Sequence, residues 1–149
     1  DNDFAIMNRK QFAESRQEAT EIFTYLLAGI AGVSLVVGGI GIMNIMLVTV
    51  TERTREIGVR KALGATKGNI LLQFLVESNI LCLLGGLLGL GIGTGASMLL
   101  AKFAGWQTVV TGTSALMAFG FSAAVGMIFG IMPARRAAKL DPIDALRHE

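Results

Sequence analysis

The chain has 149 residues, of which 52% are apolar and only 16% charged, and 19 are glycine. A soluble domain carries about 25% charged residues and about 7% glycine, so this balance excludes an ordinary soluble domain. It also excludes intrinsic disorder, which needs low hydrophobicity and high net charge. The single cysteine, Cys82, excludes a disulfide-stapled secreted fold. The net charge is only +2, and nearly every charge lies in four short segments beside or between three apolar runs, Glu77 being the exception.

Residues 1–21 are polar and mixed in charge. Residue 1 is Asp rather than Met, and no basic n-region precedes the first apolar run, so the chain reads as the carboxyl-terminal piece of something longer or as a processed product. Residues 3–7 are expected as a short strand. Residues 9–21 are expected as a helix, since Gln, Glu, Ala and Arg are good helix formers and Phe12, Ala13, Ala19 and Ile22 form a loose apolar stripe. Without a Gly or Pro before the first apolar run, that helix is expected to continue into it.

The apolar runs are residues 22–50, 70–101 and 114–133, the last ended by Pro133. Each exceeds the ~18 residues that mark a membrane-crossing helix. Three such helices in a soluble protein would need a large amphipathic shell, and the chain has none. Arg53, Arg55, Arg60, Lys61 and Lys67 occupy the segment 51–69, and Arg135, Arg136, Lys139 and Arg147 the tail 134–149, whereas the loop 102–113 carries only Lys102. The positive-inside rule therefore puts the first of these loops and the tail in the cytoplasm, and the amino terminus and the loop 102–113 outside. Trp106 and Tyr25 fit anchoring at the outer interface.

Glycines punctuate all three runs. Gly85, Gly89 and Gly93 recur every four residues, as do Gly126 and Gly130. Small residues at that spacing let helix backbones approach closely in lipid. The stretch from Gly89 to Gly95 lacks the strand–turn–helix context of a dinucleotide loop, and Gly64-Ala-Thr-Lys67-Gly has the wrong spacing for a phosphate cradle, so the chain has no ATPase of its own. Asn44, within the first run, reads as interhelical glue. Glu77 lies about two turns inside the second run. It reads as a hydrogen-bonded helix contact, facing other helices, water or a cationic partner, with Gln73 and Asn79 in reach. A proton or substrate site is the other reading, but a relay needs more than one buried ionisable group. His148 is the only histidine, so no metal-ligand cluster can be assembled.

The segment 51–69 is the most informative. Glu52 and Glu56 lie four apart, and Glu56 lies four before Arg60, the favourable Glu-then-Arg order for a helical pair. Ile57, Leu63 and Val59 give it an apolar side, and Gly64 is placed to stop the helix. Alternating charge with a protruding apolar edge fits a docking surface for a cytosolic partner. In the tail, Asp141 reads as an N-cap with Pro142 at the first helical position and Asp144 in the first turn, starting a short helix over 142–147. Arg135 and Arg136 fall at the membrane surface, where anionic lipid attracts them.

The stretch GGIGIMNIMLVTVTERTREIGVRKALGA, residues 38–65, and the tail PARRAAKLDPIDALR, residues 133–147, resemble the permease signature and carboxyl terminus of the MacB/FtsX-like family of ABC transporters. The resemblance implies an all-α integral membrane fold: three transmembrane helices, an extracytoplasmic stalk helix ending the outer domain at 1–21, a cytoplasmic coupling helix and a short cytoplasmic C-terminal helix. It implies the last three of four family spans. It assigns coupling to an ABC ATPase to Glu52, Arg53, Arg55, Glu56, Ile57, Gly58, Arg60, Lys61, Leu63 and Gly64. It implies no cofactor in this chain but ATP–Mg on the partner nucleotide-binding domain, a homodimer in the bacterial inner membrane, and a periplasmic adaptor or outer enzyme as further partner. Nucleic acid is not implied. The expected function is efflux of macrolide, peptide or lipoprotein substrates by mechanotransmission; the alternative is an FtsX-like regulator that activates an outer enzyme without transport.

Overall fold

The computed structural model describes residues 2–105 and 108–147. Trp106, expected as an interfacial anchor, and His148 lie outside the described residues. Five helices make up the described chain: α1 (Asn2–Glu52), α2 (Thr54–Ala62), α3 (Lys67–Ala104), α4 (Gly112–Ala138) and α5 (Pro142–Arg147). No strand occurs among the described residues. Three helices, α1, α3 and α4, are long and apolar enough to cross a membrane.

The chain divides into two units, Asp1–Val37 and Gly38–Glu149. In the first, residues 3–7 are helical, not the expected strand. A lone strand leaves its backbone groups without a ladder, whereas a helix satisfies them within the segment, and Asp3 in the first turn complements the helix dipole. Further along, Thr20, Thr24 and Ser34 donate their hydroxyls to the carbonyls of Arg16, Thr20 and Ile30. Such back-bonding is how polar hydroxyls are carried on a helix.

In the second unit, α3 and α4 form an antiparallel pair, held by small residues. Gly130 meets Ser78, Gly126 meets Cys82 and the Asn79 backbone, and Gly86 meets Ser122. The rungs recur every four residues on both helices. A Cβ on Gly126 would lie 3.0 Å from that of Cys82, and one on Gly130 would overlap the Ser78 hydroxyl. Ser78 is wholly buried and donates 2.9 Å to the Leu75 carbonyl and 3.2 Å to that of Gly126 across the interface. The α3 stripe facing α4 is therefore 78, 82 and 86. Gly85, Gly89 and Gly93 lie outside it, with open space around each within the chain.

A hydrophobic core forms where one end of this pair meets α1 and α2. It contains Met46, Val50, Ile57, Ile70, Phe74, Ala134 and Ala137. Pro133 does not end α4, contrary to expectation; the helix runs on to Ala138. Proline costs the helix one backbone bond, but Pro133, Ala134 and Ala137 are buried and their packing carries the helix past it. Outside this core the large apolar side chains are mostly exposed, as helices facing lipid require.

Overfilling the tight contact should separate it from the open stripe. Gly130→Leu is expected to destabilise the α3–α4 pair by about 1–3 kcal/mol, measured by reversible unfolding in mixed micelles. Gly89→Leu is expected to leave that stability within about 0.5 kcal/mol.

Candidate functional site

Helix α2 packs along α5 and reaches the core, the first turns of α3 and the end of α4 through single side chains, and its residues divide by face. Arg53 alone separates it from α1, so the expected single helix from Glu52 to Leu63 begins instead at Thr54. The Arg53 carbonyl still accepts from Ile57 N at 3.0 Å, and Arg53 N donates 2.9 Å to Thr49 O. Its side chain makes no cap and turns toward α3.

The face toward α3 is polar. Arg53 Nη1 lies 3.4 Å from both Glu77 carboxylate oxygens, and its Nε donates 3.2 Å to Glu56. Arg60 Nη2 donates 2.6 Å to the other Glu56 oxygen, and Arg60 Nη1 donates to Gln73 Oε1. Glu56 thus bridges two arginines whose far ends grip Gln73 and Glu77, one turn apart on α3. Glu77 finds its cationic partner in Arg53, and Gln73 serves Arg60 instead of Glu77. The paired side chains remain about two-fifths exposed, so each pair contributes at most about 1 kcal/mol. The ladder fixes the rotation of α2 more than it stabilises it.

The next face is apolar. Ile57 enters the core at 3% exposure. Beside it Lys61 Nζ donates to the carbonyls of Ala138 and, at 2.6 Å, Leu140. It thereby satisfies the end of α4 and complements its dipole. Burial pushes the Lys61 ammonium below the ordinary lysine range; Lys67 adds to this by repulsion, and Asp141 opposes it.

A third face carries α5. A Cβ on Gly58 would lie 2.7 Å from that of Ala145 and 3.5 Å from the Pro142 carbonyl, so glycine lets α5 sit flat on α2. Asp141 caps α5, accepting 3.0 Å from Ile143 N through Oδ1. The chain leaves α2 by a Schellman turn. Gly64, at φ 107°, donates to Lys61 O, and Ala65 N donates to Arg60 O. The stripe with no internal partner among the described residues is Arg55, Val59 and Leu63, each four apart, with Glu52, Glu56, Ala62 and Gly64 exposed beside it. Leu63 is 83% exposed. Asn44, on α1, is exposed.

Sequence reasoning missed Ser78, Cys82 and Gly86 as the α3 side of the small-residue contact, although their four-residue spacing was visible. It also missed Gln73 as the partner of Arg60. That contact has no sequence signal, because it depends on how α2 folds back along α3.

Residues 28–142 match the family described as FtsX-like permease C-terminal. An uncharacterized ABC transporter permease of Bacillus subtilis, YknZ, is 52% identical over 149 residues, covering 100% of this chain and 38% of that protein. The macrolide export ATP-binding/permease protein MacB of Bdellovibrio bacteriovorus is 53% identical over 146 residues, covering 98% of this chain and 22% of that protein. MacB of Psychrobacter cryohalolentis is 46% identical over 150 residues, covering 99% and 23%. The chain therefore spans well under half the length of these relatives.

Two measurements test the division of α2 by face. In a double-mutant cycle of Arg53→Gln and Glu77→Gln, the coupling energy is expected at about 1 kcal/mol or less. Gly58→Val should lift α5 from α2, seen as faster amide exchange across residues 142–147 while exchange at Phe74 and Ser78 is unchanged.

Proposed function

The chain belongs to the FtsX-like permease family, and we propose that it is the carboxyl-terminal membrane part of a MacB-type exporter permease. As a permease component of an ABC transporter it is not by itself an enzyme; ATP and Mg are held by a nucleotide-binding domain, fused or separate. Helix α2 lies on the cytoplasmic side and seats on that domain through Arg55, Val59 and Leu63. The single observation that carries this reading is the division of α2 into an inner side fixed to α3, α4 and α5 and an outer stripe left open.

When the nucleotide-binding domains close on ATP, they displace α2. Ile57 and the ladder from Arg53 to Gln73 pass that displacement to the ends of the spans. The movement is delivered to the extracytoplasmic side, where residues 1–21 join the outer domain. The permease works as a homodimer in the bacterial inner membrane, amino terminus outside and carboxyl terminus inside, with a periplasmic adaptor. Asn44, Gly85, Gly89 and Gly93, exposed in one chain, are available to the second copy. Relatives named for macrolide export support an exported cargo of the macrolide class, with peptide and lipoprotein cargo resting on the family resemblance alone.

The test uses the full-length protein with its ATPase in nanodiscs. Arg55→Glu with Leu63→Asp is expected to preserve insertion and thermal stability while reducing cargo-stimulated ATP hydrolysis at least tenfold. Undiminished stimulation would remove the docking role from this stripe. Coupled hydrolysis without cargo release, but with activation of a bound outer hydrolase, would replace export by regulation.

A further inference from the structure

The corner between α1 and α2 takes a backbone donor away from a buried carbonyl, and one side chain makes good the loss. Arg53 belongs to neither helix. Its φ of −94° and ψ of 13° lie in the bridge region, outside regular helix. An unbroken helix would pair Thr54 N with Val50 O. The ladder instead stops at Arg53 N on Thr49 O and resumes at Ile57 N on Arg53 O. Val50 is only 2% exposed, so water does not reach its carbonyl, and a buried acceptor left without a donor is costly. The Thr54 hydroxyl fills the place, donating to Val50 O at 3.0 Å and to Thr51 O at 2.7 Å.

The same pair of contacts recurs where no break exists. Thr94, within α3, donates to Leu90 O at 2.8 Å and to Gly91 O at 3.0 Å. There the hydroxyl is an addition, because a continuous helix already gives each carbonyl an amide donor. At Thr54 it is a replacement. Beyond the corner, Arg53 turns to Glu77 and Ile57 enters the core, so the bend is what brings both to their partners. We propose that Thr54 is the positioning residue of this corner: its hydroxyl lets the chain break at Arg53 without orphaning the Val50 carbonyl, and so turns α2 inward. Without that hydroxyl the favoured course is one continuous helix, in which the residue 54 amide returns to Val50 O and Ile57 leaves the core.

The experiment uses the full-length protein with its ATPase in nanodiscs. It compares hydroxyl-radical oxidation of Ile57 with that of Cys82, which is buried in the α3–α4 contact. Thr54→Val keeps the branched shape and loses the donor. It is expected to raise Ile57 oxidation about tenfold, the population shift that a buried unpaired carbonyl produces, with Cys82 unchanged. Thr54→Ser keeps the donor and is expected to stay within about twofold of the parent. Thr94→Val, which removes the same contacts from an unbroken helix, is expected to do likewise. Unchanged Ile57 oxidation in Thr54→Val would overturn the proposal. Equal rises in the Val and Ser variants would overturn it too, since shape and not the hydroxyl would then set the corner. So would a rise at Cys82 as large as that at Ile57, which would mean general loosening of the bundle. A second readout, cargo-stimulated ATP hydrolysis, rests on the docking role of α2 proposed above. Stimulation is expected to fall in Thr54→Val and to be kept in Thr54→Ser. A rise at Ile57 with stimulation intact would uphold the corner and count against docking through α2.

Discussion

The burial of Ile57 in the core shared by α1, α3 and α4 is the interaction on which the arrangement of α2 depends. Full burial of an isoleucine contributes about 1.5–3 kcal/mol. The partly exposed pairs of the ladder contribute at most about 1 kcal/mol each. The apolar anchor therefore holds α2 in place, and the polar contacts decide how it is turned. Without Ile57 seated, Arg60 would not reach Gln73, Lys61 would not reach the end of α4, and Gly58 would not present its flat face to α5.

Two kinds of packing meet at this point. Around Ile57, at the charged end of the spans, water is at hand and apolar burial is driven in the ordinary way. Farther along α3 and α4, lipid replaces water, and lipid tails are as apolar as leucine. There close approach and interhelical hydrogen bonds must hold the helices together. The Ser78, Cys82 and Gly86 stripe against Gly130, Gly126 and Ser122 supplies both. The core fixes where the hairpin and α2 meet, and the small-residue contact fixes how α3 and α4 run from there.

The three spans, the short helix over 142–147 and the stop at Gly64 were all legible in the sequence, because each rests on a local signal: an apolar run, a capping residue, or a glycine at positive φ. The failures came where tertiary context overrode a local signal. Pro133 reads as a terminator, yet the buried alanines beyond it keep α4 helical. Residues 3–7 read as a strand only if a neighbouring strand is supplied, and none occurs among the described residues. The sequence marked Gly85, Gly89 and Gly93 as a close-packing stripe without naming its partner helix, and within the chain the stripe facing α4 is Ser78, Cys82 and Gly86. Spacing of four marks several stripes on α3, and only the register with α4 chooses among them.

The charged segment after the first span illustrates a broader point about motifs in which packed and exposed residues alternate. Read as a string, Glu56 and Arg60 stand out as surface charges and Ile57 as an apolar edge. In the structure Ile57 is interior, and both charges are committed to Arg53 and Gln73. Reversing either charge would therefore disturb how α2 sits on α3 before it altered any external contact. Among the described residues, Arg55 and Leu63 carry no internal contact of this kind; they lie on the face of α2 turned away from α3, α4 and α5. The residues that make a motif conspicuous are thus not the ones that isolate its outward role, and the geometry of the faces, not the density of charge, distinguishes them.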